Sequence, residues 1–130
     1  MPRFDSRLSK REKMPVADAD GNVLGSCLIS KFRRQKGEAY NEIWLFDVEQ
    51  RPVAEIRGYR LHSHVRCVGR EGISQEGNCP RIDTKDAIVA ARVALELVAD
   101  PAEMIVAIQE IAKTLADLRR LKRGRRRGPY

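Results

Sequence analysis

Residues 40–61 read YNEIWLFDVEQRPVAEIRGYRL, and this stretch decides the fold. Its first nine residues are rich in aromatic and branched side chains, which strands favour. Glu49, Gln50 and Arg51 are polar, and Pro52 has no amide hydrogen for a ladder, so the strand ends in a turn there. From Val53 the side chains alternate with a period of two. Val53, Glu55, Arg57, Tyr59 and Leu61 fall on one face, and Ala54, Ile56, Gly58 and Arg60 on the other. Two strands joined by so short a turn are antiparallel.

Upstream, Asp20-Gly21 sits between apolar residues, a hairpin signal because glycine accepts the positive φ of tight turns. It separates a short strand around Val16 from a longer one at 23–32. Residues 33–38 form a polar turn into strand 40–48. Downstream, strand 53–61 is followed by a short strand at 65–68, then by a loop at 69–81 with Gly69, Gly72, Gly77 and Pro80. Four to five consecutive strands with short connections predict an antiparallel meander.

Helical signals take over after the loop. Asp83 or Thr84 can cap a helix running to Ala99, with Ile88, Ala91, Leu95 and Val98 on one face. Asp100-Pro101-Ala102-Glu103 restarts a second helix, with aspartate at the N-cap and proline at the first helical position. Met104, Ile108, Ile111, Leu115 and Leu118 make one apolar seam, and Gly124 reads as the end of the helix. The fold class expected is α+β, a meander followed by two C-terminal helices. Residues 1–13 read as a flexible basic arm, 14–122 as one domain and 123–130 as a disordered arginine-rich tail. A chain of 130 residues suits one domain.

The net charge of +7 has a location. Residues 118–130 contain seven basic residues and no acidic one, so the first 117 residues are neutral overall. Such a run raises affinity for polyanions. It could equally solubilise the chain or dock on an acidic partner. The three cysteines, Cys27, Cys67 and Cys79, are odd in number, and the N-terminal residues are polar, which reads as an intracellular chain with reduced thiols, cytoplasmic or nucleoid-associated. No stretch approaches the roughly 18 apolar residues of a membrane span, so no membrane partner is expected.

Arg57 and Tyr59 on one strand face pair a cation with an aromatic ring, which suits a single strand whose bases stack and whose phosphates meet guanidinium. An acidic cross-strand neighbour could instead hold Arg57. Trp44 and Phe46 share a face opposite Ile43 and Leu45, and a lone tryptophan reads more readily as core than as platform. His62, His64, Cys67 and Cys79 are zinc-ligand types, but alternation sets Cys67 on the face away from both histidines. Neither histidine stands in a catalytic motif, and no cofactor is expected, so the chain reads as non-enzymatic.

Phe46-Asp47, then Ala54-Glu55-Ile56-Arg57-Gly58-Tyr59, then Gly69-Arg70-Glu71-Gly72-Ile73-Ser74 together resemble the positive-cofactor family of transcriptional coactivators, which bind single-stranded DNA. The resemblance covers residues 45–74. Where that family has an aromatic residue after the tyrosine, this chain has Arg60, and where it has a lysine before Gly-Ile-Ser, this chain has Glu71. It implies a curved antiparallel sheet, a C-terminal helix that dimerises, and contacts to the strand from Arg57 and Arg70. The functional expectation is nucleic-acid binding, DNA more than RNA, in transcription or replication. The expected site comprises Arg57, Tyr59, Arg60, Arg66 and Arg70 on the sheet, with Arg120, Arg123, Arg125, Arg126 and Arg127 in the tail. A structural or adaptor role through the C-terminal helix is the alternative.

Overall fold

A computed structural model describes the backbone of residues 6–34, 40–69, 71–72 and 74–127; residues 6–10, 33–34, 40, 84 and 123–127 are described by backbone alone. Among the described residues six strands precede two helices. The strands are β1 (Ser6–Ala17), β2 (Val23–Arg34), β3 (Tyr40–Asp47), β4 (Pro52–Gly58), β5 (His62–Val68) and β6 (Ser74–Pro80). The helices are α1 (Thr84–Glu96) and α2 (Pro101–Arg127). The strands form one sheet in chain order, and every neighbouring pair is antiparallel. The chain is therefore an α+β meander, with six strands in place of four to five.

The additional strand is β6, in the stretch read as a loop. Its sequence, SQEGNCP, has no branched residue to announce it. It exists because β5 pairs with it, from Val68↔Ser74 to His62↔Pro80, and because α2 packs on its Gly77. Pro80 is tolerable in an edge strand. The other edge also differs from expectation: β1 begins at Ser6, inside the stretch read as a flexible arm. Met14↔Cys27 and Val16↔Gly25 anchor the pairing, and it continues back to Ser6↔Arg34. The positive charge there is that of a protected edge, since lysines and arginines discourage pairing with another chain.

Both helices cover one face of the sheet. That face carries Cys27, Ile29, Ile43, Leu45, Ile56, Val65 and Cys67, each at most 2% exposed. The buried side of α1 is an alanine face, Ala87, Ala90, Ala91 and Ala94, with Leu95. Of the expected face, Ala91 and Leu95 are buried and Val98 packs on the core, while Ile88 is 36% exposed. Alanine lets the helix approach closely, and Gly25 completes the fit. A Cβ on Gly25 would collide with the Phe46 carbonyl oxygen and stand 3.1 Å from Leu95 Cδ1.

Asp83 caps α1, accepting from the Asp86 amide, and Asp100 caps α2, accepting from the Ala102 and Glu103 amides. In α2 the seam is buried at Met104 and Ile108, joined by Ile105 and Ala112. Leu118 and Leu121 are 50% and 62% exposed, because the 27-residue helix outruns the sheet. At about 1.5 Å per residue it is roughly 40 Å long. It also passes through Gly124, where the sequence reading ends it, and continues to Arg127. No helix among the described residues is long and apolar enough to cross a membrane.

Candidate nucleic-acid interface

The face of the sheet away from the helices is open, and strand register builds it in rows. One row runs Leu28, Trp44, Glu55, Arg66 and Glu76 from β2 to β6. The next runs Ser30, Glu42, Arg57, His64 and Asn78. Directly opposed side chains on one face touch, so Arg66 stands between Glu55 and Glu76 in the first row and Arg57 beside Glu42 in the second. Trp44 and Phe46 lie half-buried on this face, while Ile43 and Leu45 fill the core. The lone tryptophan is thus outside the core, which is already filled from the other side.

A basin of about 630 Å³ opens over β4, β5 and β6, lined by Glu55, Arg57, Tyr59, His62, His64, Arg66, Glu76 and Asn78. The Tyr59 and His62 rings are 5.2 Å apart between centroids and tilted by 30°. Arg57 Nε donates to Glu55 Oε2 at 3.1 Å, and its Nη2 stands 3.7 Å from Glu42 Oε1. Burial works against the Arg57 charge, but a hydrogen bond with Tyr59 and the carboxylates of Glu55 and Glu42 outweigh it, so the guanidinium is held more firmly protonated than usual. His64 Nε2 lies 3.4 Å from Glu76 Oε1. The basin is therefore polar and close to charge balance, with an aromatic pair at one end.

The histidines and cysteines separate as alternation requires. His62 and His64 face the basin, while Cys67 and Cys79 are buried beneath the helices. Burial pushes the Cys67 thiol up to about 12 and the Cys79 thiol to about 11, so both stay neutral.

The cationic end of α2 begins with a clamp. Arg119 Nη2 donates to Asp83 Oδ2 at 2.6 Å and also bonds Asp86, which ties α2 to the first turn of α1. Arg120 bonds Asp117, one turn back on its own helix. Asp117 is the last acidic residue of the chain, and basic residues follow it at 119, 120, 122, 123 and 125–127.

Of the residues expected in the site, Arg57, Tyr59 and Arg66 are brought together in the basin. Arg60 lies apart from the basin lining, exposed in the β4–β5 turn. Arg120 is on the far side of the sheet, on α2. Arg123, Arg125, Arg126 and Arg127 belong to α2 by backbone, and Arg70 lies outside the described residues. Sequence reasoning missed His62, His64, Glu76 and Asn78 as basin residues, because β6 was not recognised and its register with β5 sets them. It also missed the Arg119 clamp, which joins positions 33 and 36 residues apart.

Compared with protein-family models, with curated proteins and with solved structures, the chain shows no match.

Proposed function

We propose that this is a non-enzymatic nucleic-acid-binding protein that prefers single-stranded DNA, acting in the cytoplasm or on the nucleoid in transcription or replication. The observation that supports it best is the run of cations after Asp117, carried by α2 past its clamp to Arg127 with no acidic residue among 118–127. Each cation that reaches a phosphate releases counterions, which gives salt-sensitive affinity without sequence preference. Arginine adds bidentate phosphate contacts. The preference for unpaired strands draws on the Tyr59–His62 ring pair, which offers ring surface for bases.

Removing residues 123–130 tests the run. Binding of a labelled single-stranded oligonucleotide is followed by anisotropy over a salt series. Four arginines at about 0.7 each predict that the slope of log K against log salt flattens by up to about 3. An unchanged slope rules out the run as the capture element.

A second reading has its own observation. Val89, Val93, Ala107, Ile111 and Leu115, with Glu110 and Thr114, line a groove of about 460 Å³ between α1 and α2, and Leu118 and Leu121 line a neighbouring cavity that shares Leu115. In this reading the protein is an adaptor or a homodimer joined through the C-terminal helix. Nucleic-acid binding would then be weak, and mass in solution would report the partner.

A further inference from the structure

The meander alternates direction, so its connections fall at two ends of the sheet, and the charges sort between them. One end holds the β1–β2, β3–β4 and β5–β6 turns and the α1–α2 turn. Asp18, Asp20, Asp47, Glu49, Asp100 and Glu103 gather there, with Arg51 paired to Asp47 and Glu49. The other end holds the close of β2, the β4–β5 turn with Arg60, the residues after β6 with Arg81, the start of α1 with Asp83, Lys85 and Asp86, and the end of α2 from Asp117 through Arg119, Arg120 and Lys122. Positions far apart in sequence thus make one pole that is basic on balance, and its opposite is acidic on balance.

The pole is continuous in its contacts. Arg81 Nη1 lies 3.5 Å from the Arg60 carbonyl oxygen, its potential acceptor. The Ile82 amide donates to Ser63 Oγ at 2.9 Å, which holds the segment after β6 against the start of β5. Asp83, the next residue, takes Arg119, and the cationic end of α2 begins there. The tip between Arg60 and this segment carries surface for bases. Leu61 is 83% exposed, and Tyr59 and His62 form the ring pair beside it.

We propose that a single-stranded polynucleotide crosses this pole, with phosphates on Arg60, Arg81 and the end of α2 and a base on the Tyr59–His62 tip. The proposal rests on the nucleic-acid reading and places its ligand away from the centre of the open face. Two arguments favour the pole. The Arg57 guanidinium in the basin already faces Glu55 and Glu42, and Glu55 and Glu76 stand on either side of Arg66 in its row. A charge-balanced surface gives a phosphate little. The separation of charge also orients the molecule, so an approaching polyanion meets the basic end first and is repelled by the other.

The test uses the full chain, with affinity read from the anisotropy of an end-labelled single strand and Trp44 emission read separately with an unlabelled one. Trp44, the one tryptophan of the chain, reports on the open face by its emission. A variant carrying Arg60→Glu and Arg81→Glu is expected to lose at least tenfold in affinity and to flatten the salt slope by about 1.4, two phosphate contacts. Arg66→Glu is expected to change neither, and binding to leave Trp44 emission within about a tenth of its free value. Tyr59→Ala is expected to weaken single-strand binding while double-strand binding holds. If the double charge reversal unfolds the chain by circular dichroism, Arg60→Gln with Arg81→Gln takes its place, with a smaller loss and the same flattening. Unchanged binding in the pole variants, or Trp44 quenching with a loss in Arg66→Glu, overturns the pole and moves the strand to the open face. No binding by any form overturns the nucleic-acid reading with it.

Discussion

Arg119→Ala should loosen the junction between the helices. Arg119 sits between Asp83 and Asp86, with side chains 37%, 48% and 17% exposed. A charge-assisted hydrogen bond contributes about 1.5–3 kcal/mol when sheltered, and an exposed ion pair about 0–1. The half-exposed Asp83 bond belongs to the lower range, and the Asp86 bond carries most of the loss. Together they put the cost at about 1–2 kcal/mol. Unfolding entropy is about 2.1 cal/mol/K per residue, or about 0.27 kcal/mol/K for the 130 residues, so Tm should fall by about 4–7 °C. Acidity supplies a second readout. Burial and the neighbouring Asp83 raise the Asp86 carboxyl above its ordinary value, while Arg119 pulls it down. Without Arg119 it rises further, so the folded variant binds a proton more tightly than its unfolded chain does. The variant therefore gains stability as the solution is acidified towards that raised value, and the gap to the parent narrows. Urea unfolding across a pH series measures it. A loss below about 0.5 kcal/mol, or a gap that widens in acid, refutes the clamp.

Three other perturbations follow from the fold. Gly25→Ala should cost about 2 kcal/mol or more, because its Cβ has no room between Phe46 and Leu95; urea unfolding at matched m-value measures it. Asp47→Ala should cost about 1–3 kcal/mol by thermal melting at pH 7, since its carboxylate accepts from the Glu49 and Arg51 amides and from Arg51 Nε in the β3–β4 turn. Burial raises that carboxyl, but these bonds and the Arg51 charge hold it below its ordinary value, so its contribution is whole above the ordinary value and is lost as pH falls through the depressed one. Cys67 and Cys79 should resist a thiol reagent at pH 8 in the native protein and react on unfolding, being buried with thiols raised to about 12 and about 11; reaction of the native thiols at the rate of a free thiol would contradict their burial.

What was legible in the sequence was what local chemistry decides. Gly21 has φ 88°, as the Asp20-Gly21 hairpin requires. Asp83 and Asp100 cap their helices, β3 follows its alternation, and β4 follows it from Ala54, with Ala54, Ile56 and Gly58 facing the helices; Val53, expected beside Glu55, is buried in the core where the β3–β4 register shifts. Strands whose reason is tertiary were not legible. β6 is polar and held by β5 and α2, and the first half of β1 is charged and held by β2. The face of α1 was legible at Ala91, Leu95 and Val98 but not at Ile88, because close approach to the sheet selects the alanines at 87, 90 and 94. In the candidate site the same division holds. Arg57 and Tyr59 share a strand and could be paired on sight, but the row that sets Arg66 between Glu55 and Glu76 depends on two registers. The meeting of Arg60 with Arg81 depends on where β6 ends, which no spacing in the chain announces.

The central claim is best tested by anisotropy of matched single-stranded and double-stranded oligonucleotides, titrated with the intact protein from 50 to 300 mM salt, about the range over which phosphate contacts fade. The account predicts tighter binding to the single strand, a steep salt dependence for both, and a preference that persists as salt rises because ring stacking is not screened. Equal affinity for both forms that vanishes at moderate salt would contradict the single-strand preference, and no binding at 50 mM would contradict nucleic-acid binding itself.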